Sequence, residues 1–276
     1  MLTDDRTNKI YFSAWLPTVC PVLWENIHRE LSARKVQHEL LNGTADIWCR
    51  DYMPIQIDDN EFVNYRYTPD YLMVKSKKRY ITNASNVCAA LPYQVKQIDL
   101  ILDGGNVVRC GDTVVMTEKV FHENKDKSRY EVEKILTDAF KCDLLFLPWD
   151  RSEPLGHSDG IVHYIEANKV MLTNYDDFSP YFFRRFKKAL ERKFEIVPLK
   201  DPTKRKHQRS WAYVNFLQTE HLLMVPQLGI AEDEQAIEQI GNAFPQYDMI
   251  GIPALEAVRR GGALNCISWN VKDGSV

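Results

Sequence analysis

The chain has 276 residues, of which 45% are apolar, and it carries a formal net charge of −3 at pH 7. This composition is sufficient for a sizeable core, and the slightly acidic balance argues against a nucleic-acid binder, which is usually basic. The sequence has no apolar run of the length that a membrane-spanning helix requires, so we expect no membrane partner.

Strand and helix patterns alternate along the whole chain. Strands are predicted at 9–17, 36–41, 53–58, 61–67, 100–105, 113–121, 143–149, 161–166, 169–175, 195–199, 212–226 (a hairpin), 247–253 and 261–271. Helices are predicted at 22–35, 129–141, 180–194 and 232–244, where apolar residues recur at helical spacing.

Several neighbouring strands are separated only by tight turns, which join strands in antiparallel pairs. The sheets are therefore expected to be mixed, and a doubly wound parallel fold is not favoured. The pattern indicates about five strand–helix–hairpin modules in an α/β chain. With no evident linker or low-complexity segment, residues 1–276 are interpreted as a single domain.

Four short motifs carry candidate chemistry: "ADIWCRDYMP" at 45–54, "LDGGNVV" at 102–108, "GHSDG" at 156–160 and "GGALNCISWNV" at 261–271. Each has an ordinary structural reading when it is taken alone. These readings are an ion pair, a strand exit, a turn with a local hydrogen bond and a buried core thiol. The combination of the four motifs is more informative than any one of them.

Together the motifs supply the parts of a covalent hydrolase. Cys266 is a candidate nucleophile, His157 a proton shuttle and Asp103 an acid that orients the shuttle. Asp51 and Asp159 are then left over. Surplus carboxylates would destabilise the oxyanion of a cysteine protease, but they suit a planar cation such as guanidinium, which forms forked hydrogen bonds to carboxylates.

In this order and spacing, the motifs W-x-R-D-x-x-P, D-G-G-N, G-H-x-D and G-G-x-x-x-C resemble the guanidine-modifying enzyme superfamily. Agmatine deiminase and the Porphyromonas-type peptidylarginine deiminase are the most similar branch. The resemblance runs from about residue 48 to residue 271. It is supported by "WAYVNF" at 211–216, "MVPQLG" at 224–229 and "FPQYDMIGI" at 244–252.

The resemblance implies a pseudo-fivefold α/β propeller, the pentein fold, and hydrolysis of a guanidinium to a ureido group with loss of ammonia. By motif it assigns Cys266 as nucleophile, His157 as acid and base, and Asp103 as the residue that orients His157. It assigns substrate binding to the remaining motif residues: Asp51 and Asp159 for the guanidinium, Trp48 for the channel, and Asn215.

The implied chemistry passes through a covalent thiouronium on Cys266 and requires neither a metal nor an organic cofactor. No two of the six cysteines form a C-x-x-C pair, which argues against a zinc ribbon. The start of the chain lacks a signal-peptide pattern, so a cytoplasmic location with free thiols is expected. Homo-oligomerisation is left open.

The motifs depart from the family pattern at Tyr52 and Met53, which precede Pro54, at Asn265, where a histidine is common, and in the stretch "NVVRCGDTVV". These departures bear on the substrate, which loops decide. Agmatine, giving N-carbamoylputrescine for putrescine synthesis, is the favoured substrate.

Three other readings stay open: a citrulline-forming deiminase of free or peptidyl-arginine, a catalytically silent binding protein on the same fold, and an unrelated cysteine hydrolase. Free arginine would require a cation for its carboxylate. The candidates for that cation are Arg66, Arg109, Arg259 and Arg260. An acidic pocket that lacks such a cation would prefer agmatine, because like charges at about 4 Å cost about 4 kcal/mol at an effective dielectric near 20.

Overall fold

The computed structural model describes residues 1–174, 179–200 and 210–274. Its strands within these ranges are Lys9–Ser13 (β1), Gln37–Leu41 (β2), Ile55–Asp58 (β3), Glu61–Arg66 (β4), Gln94–Ile101 (β5), Val108–Cys110 (β6), Thr113–Thr117 (β7), Asp143–Leu147 (β8), Val162–Glu166 (β9), Lys169–Asn174 (β10), Glu195–Lys200 (β11), Leu217–Gln218 (β12), Leu222–Gln227 (β13), Asp248–Pro253 (β14) and Ser268–Val271 (β15).

Helices connect these strands. Over the same described ranges they are Leu16–Val19 (α1), Pro21–Ala33 (α2), Cys49–Tyr52 (α3), Ala84–Cys88 (α4), Lys119–Glu123 (α5), Arg129–Phe140 (α6), Pro180–Leu190 (α7), Asp233–Ala243 (α8) and Leu255–Val258 (α9). Within the described part of the chain, none of them combines the length and apolar character needed to span a bilayer.

The strands form five three-stranded sheets with one repeated topology: β15-β1-β2, β3-β4-β5, β6-β7-β8, β9-β10-β11 and β12-β13-β14. In every sheet the central strand pairs antiparallel with the first strand and parallel with the third. A helical crossover joins each parallel pair, as parallel pairing requires. The fold is therefore the five-module α/β propeller that the sequence predicts.

The crossover helices pack on the sheets through one apolar face. In α2 the buried residues Leu23, Ile27 and Leu31 recur every four positions, and they belong to the same core cluster as Phe12 of β1. Helix α6 begins with a capping box, in which Ser128 and Glu131 satisfy the free N–H groups of the first turn. Local sequence thus determines where these helices start and which face they bury.

Several predicted strands are wrong in part. The segment at 212–216 is not the first half of a hairpin; residues Ser210–Val214 form a 3₁₀ turn, and the strand is only β12. The final strand begins at Ser268 rather than at 261, because the glycine pair and Cys266 form a turn before it. The predicted strand 113–121 ends at Thr117 and continues as α5. Residue 175, predicted as a strand end, lies outside the described residues.

Candidate active site

The predicted site residues occupy equivalent places in the repeated modules. Each of them lies in the short segment that leads into the first strand of a sheet. The segments contribute Asp51 before β3, Asp103 before β6, His157 and Asp159 before β9, Asn215 before β12, and Cys266 before β15. Because these segments belong to five successive sheets, the fold brings together residues that are up to 215 positions apart.

His157 lies between two carboxylates. Its Nε2 atom is 3.0 Å from Oδ2 of Asp103, and its Nδ1 atom is 3.6 Å from Oδ1 of Asp51. Burial opposes the charge on the imidazole, but the two carboxylates outweigh burial and raise the pKa of His157 to about 9. The imidazole is therefore cationic at neutral pH and is held at both nitrogens.

Gly105 permits the close approach of Asp51 and His157. A Cβ atom on Gly105 would lie 2.6 Å from both Oδ1 of Asp51 and Nδ1 of His157. The backbone N–H of Gly105 also donates to Oδ1 of Asp51 at 3.2 Å. Burial, with Asp103 and Asp159 nearby, raises the pKa of Asp51, and the positive charge of His157 opposes this rise.

Cys266 faces a second set of polar groups. Its thiol donates to Oδ1 of Asn215 at 3.2 Å and lies 3.7 Å from Oδ2 of Asp159. Asn265 donates to that same Asp159 oxygen at 2.8 Å. Burial raises the pKa of the Cys266 thiol well above its usual range, and Asp159 and Asp51 raise it further. The cysteine is thus a neutral thiol in this environment.

A cavity of about 760 Å³ opens onto these groups. Asp51, His157 and Cys266 line it together with Trp48. Asp103 contacts His157 from behind the wall, while Asp159 and Asn215 contact Cys266. The sequence analysis places all seven residues at one site, and the structure brings all seven together there.

Trp48 forms part of the cavity wall and packs on the glycine pair that precedes Cys266. A Cβ atom on Gly262 would lie 2.2 Å from the indole ring. Gly261 adopts a φ of +106°, which favours glycine. The indole contact at Gly262 and the backbone conformation of Gly261 explain why a glycine pair precedes the thiol.

The cavity lining includes three cationic side chains, of which the sequence predicts only Arg260. Lys77, Arg79 and Arg260 belong to its lining. Arg79 lies over the ring of Tyr80 and donates to its hydroxyl at 3.0 Å, and Arg260 donates to the carbonyl of Glu256 at 2.7 Å. Their charges thus meet neutral partners. Lys77 and Arg79 were not predicted, although both lie in the basic run "KSKKR" at 75–79, which was the available signal.

The other predicted arginine candidates lie elsewhere. Arg66 forms an ion pair with Asp99 at 3.3 Å, and Arg109 is buried against Asp4. Arg259 is exposed on the surface after α9. Of the four candidates, Arg260 is the one that lines the cavity. In the described ranges, no group of three or more histidine, cysteine, aspartate or glutamate side chains is arranged to hold a metal ion.

A comparison with known families agrees with this arrangement. The sequence profile of the Porphyromonas-type peptidyl-arginine deiminases matches residues 21–271. The chain belongs to this family. A curated relative from Shewanella baltica (strain OS185), provisionally named an agmatine deiminase, is 25% identical over 212 residues, covering 63% of this chain and 57% of the relative. The chain thus spans less than two thirds of that relative's length.

A second relative, from Selenomonas ruminantium and named in the same way, is 24% identical over 301 aligned positions, covering 90% of this chain and 79% of its own. Among solved structures, the agmatine deiminase of C. jejuni aligns with a TM-score of 0.79 at 18% identity, over 99% of this chain and 96% of that one. The agmatine deiminase of Enterococcus faecalis aligns with a TM-score of 0.76 at 19% identity, over 98% and 94%. These likenesses establish the shared family fold.

Proposed function

We propose that this protein hydrolyses the guanidinium group of a small substrate to a ureido group and releases ammonia. The observation that carries the proposal is one cavity wall on which Cys266, His157 and Asp51 meet. Asp103 and Asp159 lie directly behind that wall, in contact with His157 and Cys266 respectively. A nucleophile, a proton shuttle and anchoring carboxylates are the parts that this reaction requires.

In the first step Cys266 loses its thiol proton to solvent as the guanidinium binds, and the thiolate sulfur attacks the guanidinium carbon. The bond from that carbon to one terminal nitrogen breaks, and His157 donates its proton to this nitrogen, so that ammonia leaves. A thiouronium remains on Cys266. In the second step His157 accepts one proton from water as the oxygen attacks the same carbon. The carbon–sulfur bond then breaks, the second proton of the water returns to the sulfur, and the ureido product is released. A carboxylate grip that holds the carbon in line contributes up to about 7–11 kcal/mol through proximity.

The charges around Cys266 support a cationic substrate group. Asp51 and Asp159 lie near a thiol whose pKa they raise, so the sulfur is neutral before binding. A bound guanidinium places a positive charge beside the same atoms and reverses that effect, because a nearby cation favours the thiolate. The substrate would thereby generate its own nucleophile.

Two substrate tails remain candidates. Agmatine is the substrate that the sequence motifs favour, and Asp46 on the cavity wall is an acid suited to its amine. Burial, however, raises the pKa of Asp46 to about 7, so its charge is incomplete at neutral pH. Lys77, Arg79 and Arg260 support the second candidate, a guanidino carboxylate such as free or C-terminal arginine, because they would pair with its anion.

The deciding experiment measures kcat/KM for agmatine, free arginine and a peptide with C-terminal arginine at neutral pH, with ureido product and ammonia as readouts. Ureido product from any of the three supports the deimination. If kcat/KM for agmatine exceeds kcat/KM for free arginine, the result favours a substrate with an amine tail. The reverse order favours a guanidino carboxylate. The proposal fails if purified, folded protein converts none of the three.

A further inference from the structure

Lys119 is a buried lysine next to His157 and Asp103. It is the first residue of α5, and its side chain is 1% exposed. Lysine is rarely buried to this degree unless it is paired, because removing an ammonium from water is costly. Neither the four motifs nor the proposed reaction explains its position.

The ammonium of Lys119 shares one carboxylate oxygen with the catalytic imidazole. Its Nζ atom is 3.7 Å from Oδ2 of Asp103, the same oxygen that lies 3.0 Å from Nε2 of His157. The other oxygen of Asp103 is buried without a hydrogen-bond partner among the described residues. Asp103 is therefore held between two cations through a single oxygen.

Lys119 also contacts the residue before His157 and an aromatic ring that packs on the imidazole. Its stem packs on Gly156, where an added Cβ would lie 2.8 Å from the lysine Cδ atom. Its ammonium lies 5.1 Å from the ring centre of Tyr71, and that ring packs edge-on against His157. Movement of Lys119 would thus disturb the imidazole through several contacts.

We propose that Lys119 is a positioning residue that orients Asp103 and limits how strongly the surrounding carboxylates hold the proton on His157. This inference rests on the proposed deimination. In that reaction His157 must release its proton before it can accept one from water. A third charge that offsets Asp103 keeps this release within reach at neutral pH.

Several charged groups of the described chain surround the two residues. Asp51, Asp103 and Asp159 act on His157 and raise its pKa. Glu123 and Asp70 lie 2.6 and 3.2 Å from the ammonium of Lys119, and half-exposed His122 lies beyond Asp70 at 3.9 Å. Burial and Asp103 raise the pKa of Glu123 to about 7, against the opposing effect of Lys119. Glu123 is thus ionised in the range where His157 titrates.

The test is an NMR titration of the His157 ring, carried out in a Cys266→Ala background so that no turnover is needed. Lys119→Met removes a cation near the imidazole, so the His157 pKa should rise by about one unit. Lys119→Arg keeps the charge and should restore the original value. Glu123→Gln removes an anion but keeps the lysine, so the pKa should fall.

The His157 pKa should rise in Lys119→Met and fall in Glu123→Gln. General destabilisation of the protein gives no reason for the two variants to shift this pKa in opposite directions. Lys9→Met is the matched control, because Lys9 is another buried lysine in an ion pair, with Glu39 at 2.7 Å. It should leave the titration unchanged. If Lys119→Met does not fold, the His157 pKa of Glu123→Gln decides alone: a fall supports the inference, and an unchanged or higher value overturns it.

In the Cys266-intact enzyme, Lys119→Met should lower kcat at pH 7 by about tenfold with little change in KM, and move the rising limb of the kcat profile to higher pH. An unchanged His157 titration in both Lys119→Met and Glu123→Gln would overturn the inference. If the titration shifts as expected but no guanidino compound is converted, the proposed function fails and the electrostatic role of Lys119 stands.

Discussion

Asn215 accepts hydrogen bonds from two atoms of Cys266: its Oδ1 atom lies 3.3 Å from the backbone nitrogen and 3.2 Å from the thiol sulfur. The Asn215 side-chain amide also donates to the carbonyl of Asp159 at 3.2 Å. One fully buried amide therefore fixes the direction of the thiol and connects it to the carboxylate beside it. This position is behind the nucleophile, whereas the sequence motif predicts a substrate contact for Asn215.

Asn215→Ala should reduce kcat by about 10²-fold and lower the free energy of unfolding by about 1–3 kcal/mol, because the buried N–H of Cys266 loses its acceptor. Asn270→Ala is the control. Asn270 is equally buried and donates to the carbonyl of Gln218, away from the thiol. It should cost similar stability with little loss of kcat. Equal kcat losses in the two variants would contradict a role for Asn215 at the nucleophile.

Cys266→Ala should abolish turnover, by at least about 10³-fold, while the circular dichroism spectrum and Tm remain near those of the wild type. The reason is that the proposed reaction has no other nucleophile. Cys142→Ala, which removes another buried thiol, should retain activity. Near wild-type turnover by Cys266→Ala would remove this residue from the mechanism.

Asp103→Asn should lower kcat by about 10⁴-fold, the scale seen when the orienting carboxylate of a catalytic triad becomes an amide. The substitution keeps the size of the side chain but removes a charge that raises the pKa of His157. That pKa should therefore fall from about 9 toward its usual value. The His157 ring titration measures the shift, and a rise in pKa would show that the electrostatic account is wrong.

Cys266 should react slowly with neutral alkylating agents at neutral pH, since burial and the nearby carboxylates raise its pKa well above the usual range. Chloroacetamidine, a cation that resembles guanidinium, should alkylate it faster than neutral chloroacetamide. Asp51→Asn should reduce that difference, because it removes one anchoring charge. Mass spectrometry of the modified protein gives both rates, and equal rates for the two reagents would refute substrate-assisted ionisation.

Gly262→Ala should raise KM more than it lowers kcat. The added methyl group would overlap the indole of Trp48, so the ring must leave its place on the cavity wall. Gly160→Ala is the control, because its nearest neighbour beyond adjacent residues is 3.9 Å from the added carbon. Steady-state kinetics on the preferred substrate give KM and kcat for both variants, and only Gly262→Ala should change KM. An unchanged KM in Gly262→Ala would mean that Trp48 does not shape the substrate channel.

Most of the fold was accessible from local pattern. Apolar spacing predicts α2 and α6 because each buries one face, and tight turns predict the antiparallel pairs β3–β4 and β9–β10. The segment at 212–216 misled because its apolar residues resemble a strand, whereas they are buried in a 3₁₀ turn packed in the core. Composition alone cannot separate these two states when a segment is buried on all sides.

The chain by itself determined the chemical inventory of the site: a thiol, an imidazole and three carboxylates, each bounded by glycine or proline that permits a tight loop. Tertiary structure alone decided what surrounds them. It brought Lys119 under Asp103, turned Asn215 toward the thiol and brought Arg79 and Arg260 to one cavity. No local preference encodes these contacts, because they depend on how the elements within a module and the five sheets pack.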